Sequence, residues 1–276
     1  MTMKKAIHTK SIFKSNLATD IKVAKECGFE AMEIVSSKLI SFLGEGYTTD
    51  DLNTMLKRQN IKPVCINDII SVERIEENEK KRMFQEAEEL SAMAKTIHCP
   101  TIQLVPLCAH ENKPWKDVVK YTADNIRNIA DIGNQYGIQF QLEPVAWSPI
   151  HSLSKSLELL QEIGRDNVRM VVDFWHLWAG GETTPEEVAK LDKSMIYNIH
   201  FCDGKRQERG TVWDETKLRG YYPGEGDIDL KSWVEAVKAT GYEGFWSCEL
   251  VSSKHWECDV FDVANTLSKK MDEYIL

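Results

Sequence analysis

Four side chains that can ligate a metal stand at the ends of four predicted β-strands. Each follows a run of apolar or β-branched residues and precedes a loop: Glu143 in IQFQLEPV, Asp173 in VRMVVDFWH, His200 in IYNIHFCD and Glu249 in GFWSCEL. A buried strand has little reason to end in a charged group unless that group has a partner. Any one of them alone would be read as a hydrogen-bonded polar group. Together, three carboxylates and one imidazole predict one divalent metal, and Mn²⁺, Mg²⁺, Co²⁺ and Zn²⁺ all suit this ligand set.

Two further side chains follow these strand ends closely enough to reach the same pocket. His176 lies three residues after Asp173. It could hydrogen-bond a metal-bound water or the substrate, or it could be an ordinary loop histidine. Trp147 follows Glu143 and is a candidate for the pocket wall.

The loop after His200 reads FCDGKRQERG and carries Arg206 and Arg209. A guanidinium group there could bind substrate hydroxyls, a carbonyl or a phosphate, although solvated loop charges would read the same way. Further along, residues 223–227 read PGEGD. The glycines of that turn permit either a close backbone approach to the pocket or simply a tight turn.

The elements that would position these residues alternate regularly along the chain. We predict strands over residues 6–12, 31–35, 62–67, 101–106, 139–145, 168–174, 196–202 and 244–250. Helices are predicted over residues 18–28, 49–59, 76–97, 115–136, 152–164, 185–192, 229–240 and 259–275. Eight strand–helix units indicate a closed parallel (β/α)8 barrel, a TIM barrel, which would take up residues 1–276 as a single α/β domain.

Local signals support this alternation. Thr184 followed by Pro185 and two glutamates is typical of a helix N-terminus. Left-handed caps are predicted just past four of the helical runs, at Gly28, Gly137, Gly164 and Gly241. A doubly wound open sheet would usually carry a glycine-rich turn after an early strand, and this sequence has none.

Side-chain alternation predicts which residues line the barrel interior. Neighbouring side chains of a strand point to opposite faces, so Gln141 and Glu143 share one face and Phe140 and Leu142 the other. The same alternation places polar residues inward on the first four strands, at His8, Glu33, Asn67 and Gln103. Polar side chains near the C-terminal ends of barrel strands are typical of a site rather than of a packed layer. We therefore predict substrate contacts from the first three of these.

Composition narrows the classes of partner. With 276 residues, 42% of them hydrophobic, the chain can bury a sizeable core. The formal net charge of −9 argues against nucleic acid or an anionic membrane as the main partner. Seven scattered cysteines without a CxxC pair are typical of reduced thiols in a cytoplasmic protein. We expect no signal peptide and no membrane span, and the tryptophans would suit either a homo-oligomer interface or a barrel core.

A divalent metal held by two glutamates suits chemistry at a ketone. The metal can polarise the two oxygens of an α-hydroxy ketone, which acidifies the C–H bond beside the carbonyl. One carboxylate then removes the proton to give a metal-stabilised enediolate. Reprotonation yields an isomer or an epimer, whereas departure of a β-hydroxyl group yields a dehydration. The residues alone leave isomerase, epimerase and lyase chemistry open.

On these motifs the chain resembles the xylose-isomerase-like TIM barrel superfamily over nearly its whole length. The four strand-end residues, with His176 and the PGEGDIDL turn, are similar to those of the inosose (2-keto-myo-inositol) isomerases and the ketohexose 3-epimerases. The position of Glu33 favours the inosose group, whereas Arg206, six residues after His200, favours the epimerases. The substrate therefore stays open between the two groups.

The resemblance implies roles for the same residues. One metal would be bound by Glu143, Asp173, His200 and Glu249. The two glutamates would also form the acid–base pair. His176 and Arg206 would hold the substrate.

The resulting hypothesis is a metal-dependent isomerase or epimerase that acts on a keto-sugar or keto-inositol. A lyase or dehydratase acting on a keto-cyclitol or a 3-keto-glycoside is the alternative on the same scaffold, and a non-catalytic sugar-binding barrel is a third. Endonuclease IV shares the fold, but its three-metal cluster needs several extra histidines. With seven histidines in all and a net charge of −9, this chain does not fit that enzyme.

Overall fold

The computed structural model describes residues 3–107, 113–208 and 212–275. Eight parallel strands form a closed barrel in which each strand pairs with its neighbour in sequence and the last pairs with the first. The strands are β1 (Lys4–His8), β2 (Ala31–Val35), β3 (Lys62–Ile70), β4 (Thr101–Val105), β5 (Gln139–Leu142), β6 (Val168–Asp173), β7 (Ile196–Phe201) and β8 (Phe245–Cys248). The predicted TIM barrel is confirmed.

Helices connect the strands and cover them. They are α1 (Leu17–Glu26), α2 (Ser36–Gly44), α3 (Thr49–Gln59), α4 (Glu77–Thr96), α5 (Trp115–Asn134), α6 (Leu153–Ile163), α7 (Phe174–Gly180), α8 (Pro185–Val188), α9 (Glu215–Leu218), α10 (Leu230–Ala239) and α11 (Val260–Ile275). Short 3₁₀ helices span Thr9–Ile12, Lys193–Met195 and His255–Glu257. In the described part of the chain, no helix combines the length and the apolar character needed to cross a bilayer.

Six of the eight strands end one to four residues earlier than predicted, and in two of them the last side chain caps the element that follows. β1 was expected over 6–12 but ends at His8, whose Nδ1 accepts the backbone N–H of Lys10 at 3.1 Å and so begins a 3₁₀ turn. β6 ends at Asp173, whose Oδ1 accepts the N–H of His176 at 2.7 Å as the N-cap of α7. His8 and Asp173 therefore stand where the chain leaves the barrel.

Most predicted helix signals are confirmed. Glu187 accepts the N–H of Thr184 at 2.8 Å, and Pro185 begins α8. All four glycines expected as left-handed caps have positive φ. The predictions lack α2, α7 and α9. α7 reads FWHLWAG, whose aromatic residues are modest helix formers, so packing rather than intrinsic propensity stabilises it.

The apolar core lies between the strands and the helices. Phe140 of β5 points outward as predicted, is fully buried, and packs directly on the backbone of α5 at Gly133. A Cβ atom at Gly133 would lie 2.3 Å from Phe140 Cε2, which is far inside van der Waals contact. The absence of a side chain at this position therefore sets how closely α5 approaches the barrel.

Replacing Gly133 with Ala should destabilise the fold by about 1–3 kcal/mol, because the new methyl group must displace the buried Phe140 ring. Gly44→Ala is the matched control, since Gly44 also lies in a helix and a Cβ there meets nothing within 4 Å. Thermal unfolding in the presence of a chelator measures both. A Gly133→Ala protein that unfolds at or above the temperature of Gly44→Ala would contradict this account of the packing.

Candidate metal centre

The four predicted ligands converge at the C-terminal end of the barrel. Glu143 directly follows β5, Asp173 ends β6, His200 lies in β7 and Glu249 directly follows β8. His200 Nδ1 lies 3.0 Å from Glu143 Oε1, 3.3 Å from Asp173 Oδ2 and 3.5 Å from Glu249 Oε2. All four residues are buried, and each offers one ligand atom within 4.8 Å of the others. Three carboxylate oxygens and one imidazole nitrogen so close together fit a single divalent ion.

The opposite edge of the His200 ring contacts Glu33. His200 Nε2 lies 3.2 Å from Glu33 Oε1, and both side chains are fully buried. Glu33 also accepts hydrogen bonds from Asn67 Nδ2, at 2.7 Å, and from Asn198 Nδ2. A carboxylate on the far nitrogen of a ligand histidine orients the ring and sets its tautomer. Glu33 therefore holds Nδ1 toward the three ligand carboxylates.

Burial and ion pairing set the protonation of the cluster. Burial is the strongest influence on Glu143 and raises its pKa to about 7. Burial acts in the same direction on Asp173 and Glu249, but Arg219 and the nearby histidines outweigh it and hold both pKa values below their usual range. Burial would lower the pKa of His200, yet the surrounding carboxylates raise it above its ordinary value. Buried charges are tolerated here because each has a partner.

A buried arginine completes the site. Arg219 follows α9 and is 1% exposed. Its Nη2 donates to Asp173 Oδ2 at 2.7 Å and to Glu249 Oε2, and its Nη1 donates to Glu215 Oε1 at 2.8 Å. Its Nη1 also lies 3.1 Å from His176 Nε2. Arg219 thus contacts two of the four predicted ligands and His176 of α7 at once.

Asp203 holds the loop that carries Arg219 against the barrel. This buried carboxylate accepts four backbone N–H groups at 2.7–3.3 Å. Two come from within the PGEGD turn, one from the residue after it and one from its own neighbour, namely Gly224, Gly226, Ile228 and Gly204. A Cβ at Gly226 would lie 2.1 Å from Asp203 Oδ1. Of the two roles that the sequence allowed for this glycine, the structure shows a close backbone approach. The backbone approaches the Asp203 carboxylate rather than the pocket.

A polar cavity of about 70 Å³ opens next to the cluster. It is lined by His8, Lys10, Val35, Asn67, Asp68, Gln103, Glu143, Glu215, Arg219 and Glu249. Three buried polar atoms in this lining, His8 Nε2, Asn67 Oδ1 and Arg219 Nε, have no hydrogen-bond partner within the described ranges. Because buried polar atoms are normally paired, these three are candidates to bind a polar ligand, although His8 Nε2 also lies 3.6 Å from Glu249 Oε1.

A family model described as "Xylose isomerase-like TIM barrel" matches residues 21–270. The chain belongs to this family. An inosose isomerase of Halalkalibacterium halodurans is 25% identical over 255 residues, or 91% of this chain and 89% of the relative. A 3-dehydroshikimate dehydratase of Pseudomonas aeruginosa is 21% identical over 98% of this chain and 40% of the relative. The crystal structure of an IOLI protein with a binding zinc atom has a TM-score of 0.91 at 24% identity and covers 99% of this chain and 98% of that one. The resemblance predicted from the motifs is confirmed.

This xylose isomerase-like barrel places the other predicted site residues at different depths. His8 and Asn67 line the cavity, whereas Glu33 lies behind His200. His176 lies behind Arg219, and its Nδ1 accepts the N–H of Ala146 at 3.2 Å. Burial lowers the pKa of His176 to about 4, which keeps the ring neutral near pH 7.

The remaining candidates lie at the rim or beyond it. The ring of Trp147 is 5.3 Å from that of His176 and 5.6 Å from that of Trp213. Arg206 is not brought to the cavity: its guanidinium lies 4.6 Å from the Trp178 ring centre and donates to the Trp178 carbonyl at 3.1 Å. Arg209 falls outside the described residues.

Four charged residues that line the cavity were not anticipated from the sequence: Lys10, Asp68, Glu215 and Arg219. Glu215 begins α9 and Arg219 directly follows it. This helix of one turn shows no periodic pattern. A signal for Arg219 was nevertheless present, since it is an arginine shortly before the glycine turn at 223–227. Lys10 was not predicted to line the cavity because the predicted first strand ran past it to residue 12, whereas β1 ends at His8.

Replacing Asp173 with Asn should strongly lower the affinity for Mn²⁺, because a ligand oxygen is removed. The loss should exceed the roughly 10- to 100-fold that is typical when a residue hydrogen-bonded to a metal ligand is removed. Titration calorimetry and metal analysis after desalting measure affinity and stoichiometry, and circular dichroism checks the fold. Glu235→Gln, at an exposed position on α10, should bind one ion per chain like the unaltered protein. Unchanged affinity in Asp173→Asn would exclude this cluster as the metal site.

Replacing Glu33 with Gln should weaken Mn²⁺ binding by about 10- to 100-fold while one ion per chain is still bound, because the ligand set stays intact but the His200 ring loses its charged partner. The same titration measures both quantities, with Glu235→Gln again as control. If the affinity is unaltered, Glu33 does not orient His200, and a direct role toward the substrate becomes the better explanation for its burial.

Proposed function

We propose that this chain is a divalent-metal-dependent isomerase or epimerase of a keto-sugar or keto-inositol. The observation that carries the proposal is the approach of Glu143 and Glu249 to one cavity from β5 and β8, beside Asp173 and His200. Two carboxylates around one cavity supply both a proton acceptor and a proton donor. The inosose isomerase relatives, matched over nine-tenths of this chain, support the same reaction class.

The proposed metal site is the buried cluster of Glu143, Asp173, His200 and Glu249. A divalent ion held there supplies polarisation of a substrate carbonyl and of the hydroxyl oxygen next to it. The IOLI protein was crystallised with zinc, and the donor set of this chain suits Zn²⁺ as well as Mn²⁺, Mg²⁺ or Co²⁺.

The proton is moved by the chain's own glutamates. One of Glu143 and Glu249 takes the proton from the carbon beside the carbonyl, and the other returns a proton to the resulting enediolate. Their neighbours keep them in place: Gln103 Nε2 donates to Glu143 Oε2 at 3.0 Å, and Arg219 donates to Glu249. Burial of the whole cluster excludes competing water, which strengthens every charge interaction inside it.

The substrate would be held by the unpartnered polar atoms of the cavity. His8 Nδ1 accepts a backbone N–H, so its Nε2 carries the proton of the neutral ring and can donate to a substrate oxygen. Asn67 Oδ1 can accept from a hydroxyl, and Arg219 Nε can donate to one. Trp147, whose ring meets that of His176 edge to face and that of Trp213 at a tilt, would supply an aromatic wall of the site.

A lyase is the second candidate on this site. The 3-dehydroshikimate dehydratase relative favours it, since it matches 98% of this chain. Both reactions begin with removal of the proton beside a carbonyl. They differ only in whether the proton is returned or a hydroxyl group leaves.

Deuterium exchange in D₂O tests the proposal. Protein loaded with Mn²⁺, which is chelated before spectra are recorded, should place deuterium beside the carbonyl of 2-keto-myo-inositol or fructose and give an isomeric product. Glu143→Gln and Glu249→Gln should each slow the exchange by about 10²- to 10⁴-fold, because one partner of the acid–base pair is lost.

Glu235→Gln is the control, and metal occupancy is measured in every variant so that loss of metal is not mistaken for loss of the base. An unsaturated ketone as the product would move the function to the lyase. Exchange retained in both glutamine variants would overturn the acid–base assignment.

A further inference from the structure

The backbone at Glu249 lies just past the paired part of β8. The pairing of β1 with β8 ends at Ile7 and Cys248, while on the other side the Glu249 N–H donates to the Phe201 carbonyl of β7 at 3.2 Å. After β1 the chain turns into the 3₁₀ helix Thr9–Ile12 instead of continuing along β8. The strand pairing on the β1 side therefore stops directly before the residue whose carboxylate enters the candidate metal centre.

A side chain takes the place of strand pairing at this point. The hydroxyl of Ser11 donates to the Cys248 carbonyl at 3.2 Å and accepts the Leu250 N–H at 2.9 Å. These two backbone groups flank Glu249, and Ser11 is fully buried. A hydroxyl group can both donate and accept hydrogen bonds, and Ser11 uses both capacities on this short segment. One side chain thus fixes the backbone on both sides of Glu249.

The 3₁₀ helix that carries Ser11 is itself held in place. The buried amino group of Lys38 donates to the Ile12 carbonyl at 2.8 Å, and the Trp256 indole donates to the Lys10 carbonyl at 2.7 Å. Both contacts are made to residues next to Ser11, so the hydroxyl projects from an anchored turn. Such support matters at a reaction site, because a displacement of about 1 Å can cost much of the rate.

We propose that Ser11 is a positioning residue for Glu249, and that its hydroxyl sets where this carboxylate meets the metal and the substrate. The inference rests on the proposed function, in which Glu249 is both a metal ligand and a member of the acid–base pair. Ser11 acts through the backbone of residues 248–250, and in the described part of the chain the cavity is lined by other residues. The alternative is a buried serine that contributes only to stability.

Replacing Ser11 with Ala tests the proposal, because it removes both hydrogen bonds and leaves the carboxylate in the chain. The Mn²⁺ affinity should fall by about 10- to 100-fold while one ion per chain is still bound, as for other residues that support a metal ligand. At saturating Mn²⁺, deuterium exchange into 2-keto-myo-inositol or fructose should slow by about 10- to 100-fold, because Glu249 is displaced. Titration calorimetry and NMR measure the two effects.

Ser156→Ala is the matched control. Ser156 lies in α6 and is also fully buried, and its hydroxyl donates to the Ser152 carbonyl at 2.9 Å. Its loss should lower the unfolding temperature without changing the Mn²⁺ affinity or the exchange rate. The comparison separates a general loss of stability from a displacement of Glu249.

A double-mutant cycle shows whether Ser11 acts through Glu249. In a Glu249→Ala background, Ser11→Ala should lower the Mn²⁺ affinity by less than about twofold further, because the carboxylate that Ser11 positions is already absent, whereas independent sites would give multiplied losses. Water-proton relaxation measures this weaker binding. Ser11→Cys provides a second reading if Ser11→Ala does not fold. Its thiol is a weaker donor and acceptor, so the affinity should fall in the same direction by a smaller factor.

An unaltered Mn²⁺ affinity in the folded Ser11 variant, or the same loss with and without the Glu249 carboxylate, would overturn the inference. Failure of the proposed reaction is a separate result, because metal binding is measured without turnover. If Ser11→Ala weakens Mn²⁺ binding through Glu249 but the unaltered protein exchanges no deuterium, Ser11 keeps its role and the isomerase is rejected. If the protein exchanges deuterium and Ser11→Ala changes neither affinity nor rate, the role of Ser11 alone is rejected.

Discussion

The imidazole of His200 is the point on which the site depends. One ring nitrogen faces Glu33 on β2 and the other faces three carboxylates from β5, β6 and β8. β2 comes within reach of β7 because the sheet closes into a barrel. The orientation of the His200 ring therefore depends on closure of the sheet. The ligand geometry is therefore set by the whole circle of strands rather than by any one loop.

Placing so many carboxylates in a buried space requires compensating charge. Arg219 supplies it for Asp173 and Glu249, and Asp203 fixes the turn after Arg219 through three backbone N–H groups. A buried pair of this kind contributes little net stability, but removal of one partner leaves an uncompensated charge. The loop after β7 is thus part of the electrostatic design of the centre and not merely a cover for it.

Most of the correct predictions came from the two-residue periodicity of the strands. Alternation and strand ends identified the four candidate ligands and the inward positions of His8, Glu33 and Asn67, because these depend only on local geometry. Asp68 could not be predicted, since a register shift breaks the alternation at that point. Arg219 directly follows a one-turn helix that has no periodic pattern, and Arg206 has the expected spacing but packs on Trp178. Long-range packing decided those positions, and it leaves no local signature.

The contact between Gly226 and Asp203 has a consequence for anyone who wishes to re-engineer this barrel. Asp203 is three residues from His200 on the same strand end, and its carboxylate also secures the backbone at residues 224, 226 and 228. A graft that exchanged only the tip of this loop would separate the carboxylate from the amides it was shaped for. The segment to transplant therefore runs from 203 to 228, with both glycines of the turn retained. The transplanted loop then includes the carboxylate that binds its backbone N–H groups.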